Sequence, residues 1–167
     1  MRFAPAGAAL SLALVLTASV GHSTTSQVLE PRAASLIAQG RAALAAGDAD
    51  AAIDAFEAAL AIQPGATAIT LDLAEATRRQ GLQGKALHYY REALERDPQN
   101  LAGISGEGAA LVEKGAVEKA KRNLARLQGL CGQTCPETRE LAALIAKAGT
   151  ERVVTAEAVK PNPTVSN

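Results

Sequence analysis

Five residues return at a single offset. Gly47, Ala52, Phe56, Ala59 and Pro64 recur 34 residues later as Gly81, Ala86, Tyr90, Ala93 and Pro98. A weaker third copy carries Gly115, Ala120, Leu124 and Leu127 at the same offset. A fixed period of this length describes one small unit stacked on copies of itself. The punctuation inside the period shows what the unit is. Glycine closes one segment, proline closes the next, and both segments carry apolar residues at helical spacing. The expected fold class is therefore all-α, a row of helix-turn-helix units.

The helices follow in order. Pro31 can open the first, because the first helical turn has no use for the N–H that proline lacks. The spacing predicts helices over about 33–46, 48–63, 66–80, 84–96, 99–114 and 117–129. Gly47 and Gly81 end the first helix of their pairs, and Asp48 or Asp50 caps the second helix of the first pair. The helix over 99–114 holds Gly103, Gly106 and Gly108. Each interior glycine costs up to about 1 kcal/mol against alanine, so this helix is expected to be the softest. A further helix over 137–148 shows Leu141, Leu144 and Ile145 on one side. Its apolar face is expected on the helix before it, with Gly149 as its end. Residues 150–167, with Pro161 and Pro163 and no periodicity, read as a disordered tail.

Composition narrows the partners. The chain is 48% hydrophobic but only 2% aromatic, so its core consists of small and aliphatic side chains. Seventeen basic residues balance 17 acidic ones without a basic stripe. Nucleic acid and anionic lipid are poor partners for such a surface. Residues 1–23 read as a secretory signal peptide, with Arg2 ahead of an apolar run from Ala8 to Leu16. Small residues near Ser19, Gly21 and Ser23 each allow a cut. Residues 24–32 read as a linker. Export places the chain in a periplasmic or secreted setting, with no membrane contact once the signal is removed.

That setting bears on Cys131 and Cys135, which favour a disulfide in an oxidising compartment. The closed loop is short, so its chain-entropy contribution is about 2 kcal/mol. Both cysteines are expected in a turn loosened by Gly129 and Gly132, with the bridge holding the last helix in place. A redox-active pair is the alternative, although three residues separate these cysteines where two are usual. Two thiolates without neighbouring histidine make a poor metal site, and Pro136 excludes a haem-attachment motif. His88 fits an ordinary helix surface position. No cofactor is implied, and no catalytic constellation is legible.

The 34-residue helix-turn-helix period resembles the tetratricopeptide repeat family over residues 33–133. The resemblance implies a solenoid of about three repeats, near 33–66, 67–100 and 101–134, with a C-terminal capping helix over 136–148. Gly40, Ala74 and Gly108 stand 34 apart in the first helices, and Ala52, Ala86 and Ala120 in the second. These small residues would let paired helices approach closely. Phe56 and Tyr90 would wedge between helices, with Leu124 as the smaller third version. Gln39 and Glu107 are polar where the family often has leucine, as Leu73 is here.

The resemblance also implies a concave groove lined by the first helix of each repeat. Ala34, Ile37, Arg41, Ala68, Leu71 and Glu75 would face it from the first two repeats. Arg78, Ala102, Ser105, Ala109 and Val112 would continue it. Arg41, Glu75 and Arg78 would select the partner over an apolar floor. Family members that dock chaperones clamp a terminal carboxylate with lysine and asparagine. The matching positions here are Ile37, Arg41, Asp72, Ala102 and Gly106, of which only Arg41 could serve. The expected function is a non-enzymatic protein-interaction module of the bacterial cell envelope that takes a protein or peptide. The alternative is a thiol-disulfide accessory protein using Cys131 and Cys135.

Overall fold

The computed structural model describes residues 29–158, and their side chains over 29–150. The signal peptide, the start of the linker and the end of the tail lie outside the described residues. Seven helices follow one another: α1 Pro31–Ala46, α2 Ala49–Ile62, α3 Thr67–Arg79, α4 Gln83–Arg96, α5 Leu101–Glu113, α6 Val117–Cys131 and α7 Pro136–Ala158. Among the described residues there is no strand, and no helix is long and apolar enough to cross a membrane. The fold is the expected helical solenoid, three hairpins and a last helix.

One closure is used three times. Gly47, Gly81 and Gly115 have φ of 84°, 86° and 81°, where a side chain would be strained. At the first, the Gly47 N–H donates to the Leu44 carbonyl and the Asp48 N–H to the Ala43 carbonyl. The same pair of bonds recurs at Gly81–Leu82 and at Gly115–Ala116. This is the Schellman pattern, which satisfies carbonyls that a helix end leaves bare. The Asp48 carboxylate then accepts from the Ala51 N–H at 2.9 Å and caps α2. The Asn100 amide oxygen does the same for α5 through the Gly103 N–H.

The core is a chain of clusters, each joining neighbouring repeats. Phe56 is fully buried among Ile37, Ala52, Ile53, Ile69 and Leu73. Tyr90 lies among Ala86, Leu87, Ala110, Leu111 and Ala120. Leu94, Ile104, Leu127 and Leu141 make the third cluster. The glycines of α5 are not idle softening. A Cβ on Gly106 would sit 2.4 Å from the Tyr90 ring, and one on Gly108 would sit 2.5 Å from Leu141. Gly103 is in similar tight contact with Leu94 and Leu71. The helix is glycine-rich because four large side chains press on its backbone.

Three expectations change here. Leu124 is only partly buried, and Leu127 and Leu141 fill the third cluster instead. Leucine is shorter than an aromatic ring, so the wedge that Phe56 provides at Gly40 is provided at Gly108 by the last helix. Helix α6 runs through Gly129 to Cys131, because one glycine costs too little to stop a packed helix. Gly132, at φ 84°, makes the stop. Helix α7 likewise runs through Gly149 to Ala158, so residues 150–158 are helical and not tail. The Thr150 hydroxyl donates to the Lys147 carbonyl at 2.7 Å across that glycine.

Helix α7 also does more than lie on α6. It packs on α5 and α6 together, with Leu141 buried at the junction and Leu144 turned outward. The two polar substitutions in the repeat find reasons as well. Glu107 is held by Arg91 at 3.0 Å and by the Asn123 amide at 3.0 Å. Gln39 lines an open surface formed by α1 and α2, and its amide donates to Ser35.

Candidate functional site

The backbones of α1 and α3, and of α3 and α5, come close together, whereas α2 and α4 meet only through long side chains such as the Lys85–Glu57 ion pair. The first helices of the repeats therefore converge on the inner side of the stack. A cleft of about 400 Å³ opens there. Leu71, Asp72, Glu75 and Arg78 line it from α3. Ala102, Ser105, Gly106 and Ala109 line it from α5, and the Tyr90 ring closes its base. The opposite wall belongs to α7, through Glu137, Glu140 and Leu144.

The expected groove residues divide. Leu71, Glu75, Arg78 and Ser105 meet at the cleft, as do Ala102 and Ala109. Ile37 does not, because it is buried in the first core cluster. Val112 is partly buried against the second and third clusters and also stays out. Both sit where α1 and α5 turn toward their second helices. Ala34 and Ala68 lie outside the lining too.

Arg41 is 61% exposed and reaches across from α1 to Asp72, with its Nη2 at 2.7 Å from the carboxylate. It thus ties repeat one to repeat two beside the cleft. Arg78 is only 20% exposed and binds Glu75 on its own helix and Glu113 on α5. It ties repeat two to repeat three. Both arginines are therefore occupied by the fold, and neither is a bare reader of partner charge. Their sequence positions, 31 and 35 residues from their partners, carried this signal, since one repeat is 34.

The buried ionisable groups form one network. The Tyr90 hydroxyl donates to Glu75 Oε2 at 2.9 Å, and Arg79 adds a bond to Oε1 at 2.7 Å. Burial would lift the Glu75 carboxyl, but the bonds from Arg78, Arg79 and Tyr90 together hold it below the usual carboxylate range. The burial of Arg78 works against its charge, yet Glu75 and Glu113 hold it above its ordinary value. Burial, then the neighbouring Glu75, pushes the Tyr90 hydroxyl well up. At Asp72 burial outweighs Arg41, so its carboxyl titrates above the ordinary value. Every carboxylate on the α3 wall thus has a cation in contact.

The α7 wall differs. Glu137 and Glu140 make no side-chain ion pair among the described residues. The wall was not legible in the sequence as part of a groove, since a charged face on a capping helix looks like a solvent face. Its one signal was Leu144, which is 37% exposed although it is large and apolar.

The cysteines stand at the foot of that wall. Cys131 is the last residue of α6, and Cys135 precedes the first residue of α7. Their Cα atoms are 5.9 Å apart, within the span of a disulfide, and the sulfurs are placed at bonding distance. The turn between them is shorter than expected, because Cys131 is helical. The buried Thr138 hydroxyl lies 3.0 Å from the Cys135 sulfur. Cys131, Cys135 and Glu137 offer ligand atoms within 4.8 Å of one another. With the sulfurs joined, only the carboxylate could bind an ion, which is too little for a soft metal.

Comparison with known proteins agrees with this architecture. The family model described as tetratricopeptide repeat matches residues 37–100. No curated protein sequence matches the chain. Among solved structures, the Sgt2 TPR domain from Aspergillus fumigatus is similar with a TM-score of 0.66 and 20% identity. That match covers 85% of this chain and 93% of the other. The first TPR of Spaghetti (RPAP3) bound to the HSP90 peptide SRMEEVD gives 0.63 at 24% identity, over 74% and 99%. The TPR2B-domain:pHsp70 complex of yeast Sti1 gives 0.66 at 18%, over 74% and 100%.

Proposed function

The chain is a tetratricopeptide repeat protein, and we propose that its cleft holds a peptide or helical segment of a protein partner. The cleft itself carries the reading. It joins an apolar floor to a polar rim on rigid helices, which suits an extended or helical segment. Of the similar structures, one is bound to the HSP90 peptide SRMEEVD and another is a complex with pHsp70. The groups that could serve acid–base chemistry on the α3 wall are committed to one another, so a binding role fits them better than catalysis. Peptides selected from a random library against the purified chain test this. Their amide shift changes are expected at Leu71, Ala102, Ser105 and Ala109. Changes confined to α4 and α6 would place the binding surface elsewhere and overturn the reading.

The remaining part of the proposal concerns place. We propose export to the bacterial cell envelope, with residues 1–23 removed and Cys131 bridged to Cys135. The charged start, the apolar run and the small residues after it support export, and the separation of the cysteines suits a bridge. N-terminal sequencing of the protein from its native host is expected to find a start between Val20 and Thr24. Recovery of an intact Met1 in the membrane pellet would contradict it.

A further inference from the structure

We infer that the segment held in the cleft is cationic, an apolar peptide carrying lysine or arginine that faces Glu137 and Glu140. This rests on the cleft being the binding surface and adds the chemistry of its occupant.

Charge complementarity decides the class. Asp72, Glu75, Glu137 and Glu140 put four carboxylates on the lining, against the single guanidinium of Arg78. That guanidinium is already bound by Glu75 and by Glu113. Arg41 and Arg79 neutralise Asp72 and Glu75 from the rim. What is left without a counter-charge is the α7 wall. Glu137 has a structural reason to be acidic, because it stands in the first turn of α7, where a negative charge suits the helix dipole. Glu140 is past that turn, is exposed, and lies one turn from the exposed Leu144. An acidic segment entering here would set carboxylate against carboxylate over a floor of Leu71, Tyr90 and Ala109. A lysine or arginine would lay its methylene stem on that floor and place its head at Glu140.

Two labelled peptides of identical apolar sequence test this, one with lysine at every charged position and one with glutamate. Their anisotropy titrations use the full exported chain. The lysine peptide is expected to bind tighter, and to weaken as salt is raised. Glu140→Gln should weaken it about two- to fivefold, and the Glu137→Gln, Glu140→Gln pair about three- to twentyfold, the range for partly exposed ion pairs. Glu95→Gln, on an exposed face of α4, should leave it unchanged. A thermal melt of each variant separates lost binding from lost folding, and Glu140→Lys, at an exposed position, gives a second reading of the same charge. Equal binding by Glu140→Gln and Glu140→Lys, or tighter binding of the glutamate peptide at Leu71 and Ala109, overturns the inference and leaves the cleft as the binding surface. Binding of neither peptide at those residues, together with library peptides that shift only α4 and α6, overturns both.

Discussion

Replacing Phe56 with alanine is expected to lower stability by about 3–5 kcal/mol, the range for a fully buried aromatic. The ring has no exposed surface and sits where α1, α2 and α3 meet. Gly40 is part of the same contact, since a Cβ there would lie 2.5 Å from the ring. The two positions are therefore one device, a wedge and the notch that receives it. Gly40→Ala should cost about 1–3 kcal/mol by overpacking, because a ring enclosed on all sides cannot move aside. Combining Gly40→Ala with Phe56→Leu should cost less than the sum of the two, which is the mark of a shared contact. Tyr89→Ala is the control, as Tyr89 is only partly buried and leans on the cluster from outside. Denaturant melts read all five variants, Phe56→Leu alone included. A larger loss at Tyr89 than at Phe56 would mean that the repeat wedge does not organise the core.

The wedge was legible because repetition exposes it. Gly47 with Gly81, and Phe56 with Tyr90, announce their roles by returning at 34 residues, and local rules narrow the cap to Asp48 or Asp50, of which Asp48 serves. Sequence periodicity failed where the repeat ends. Leu141 lies outside the period, so nothing in the sequence said that it, and not Leu124, would meet Gly108. The end of α6 was misplaced at Gly129 because helix propensity is weak against packing, and Gly132 makes the real stop with a positive φ. The groove was half legible. Leu71, Glu75, Arg78 and Ser105 follow from the period, while Glu137, Glu140 and Leu144 come from a helix that belongs to no repeat. The period places Ile37 on an inner helix and so points it at the groove, yet it is buried in the first core cluster. The period alone does not distinguish the inner face from the seam between helices.

Leu141→Ala is expected to cost about 2–5 kcal/mol, and the loss should be local before it is global. Leu141 is fully buried at the junction of α5, α6 and α7 and presses on the backbone at Gly108. Cutting it to alanine opens a cavity that α5 cannot fill, because the facing residue has no side chain to move. In a stacked chain each unit holds only its neighbours, so the cost falls on the end unit. Hydrogen exchange should accordingly rise first in α7 and α6, while amides around Phe56 keep their protection. The cleft loses a wall at the same time, so peptide affinity should fall together with α7 protection. The cysteines act differently. A bridge over so short a loop contributes about 2 kcal/mol through the unfolded chain. The proposed bridge would fix only where α7 begins, whereas Leu141, farther along the helix, fixes where it lies. Reduction alone should therefore loosen the turn between α6 and α7 and leave Leu141 seated, with the larger part of α7 protected. Uniform loss of protection across all three repeats in Leu141→Ala would show that the stack unfolds as a single unit and that the last helix is not its detachable end.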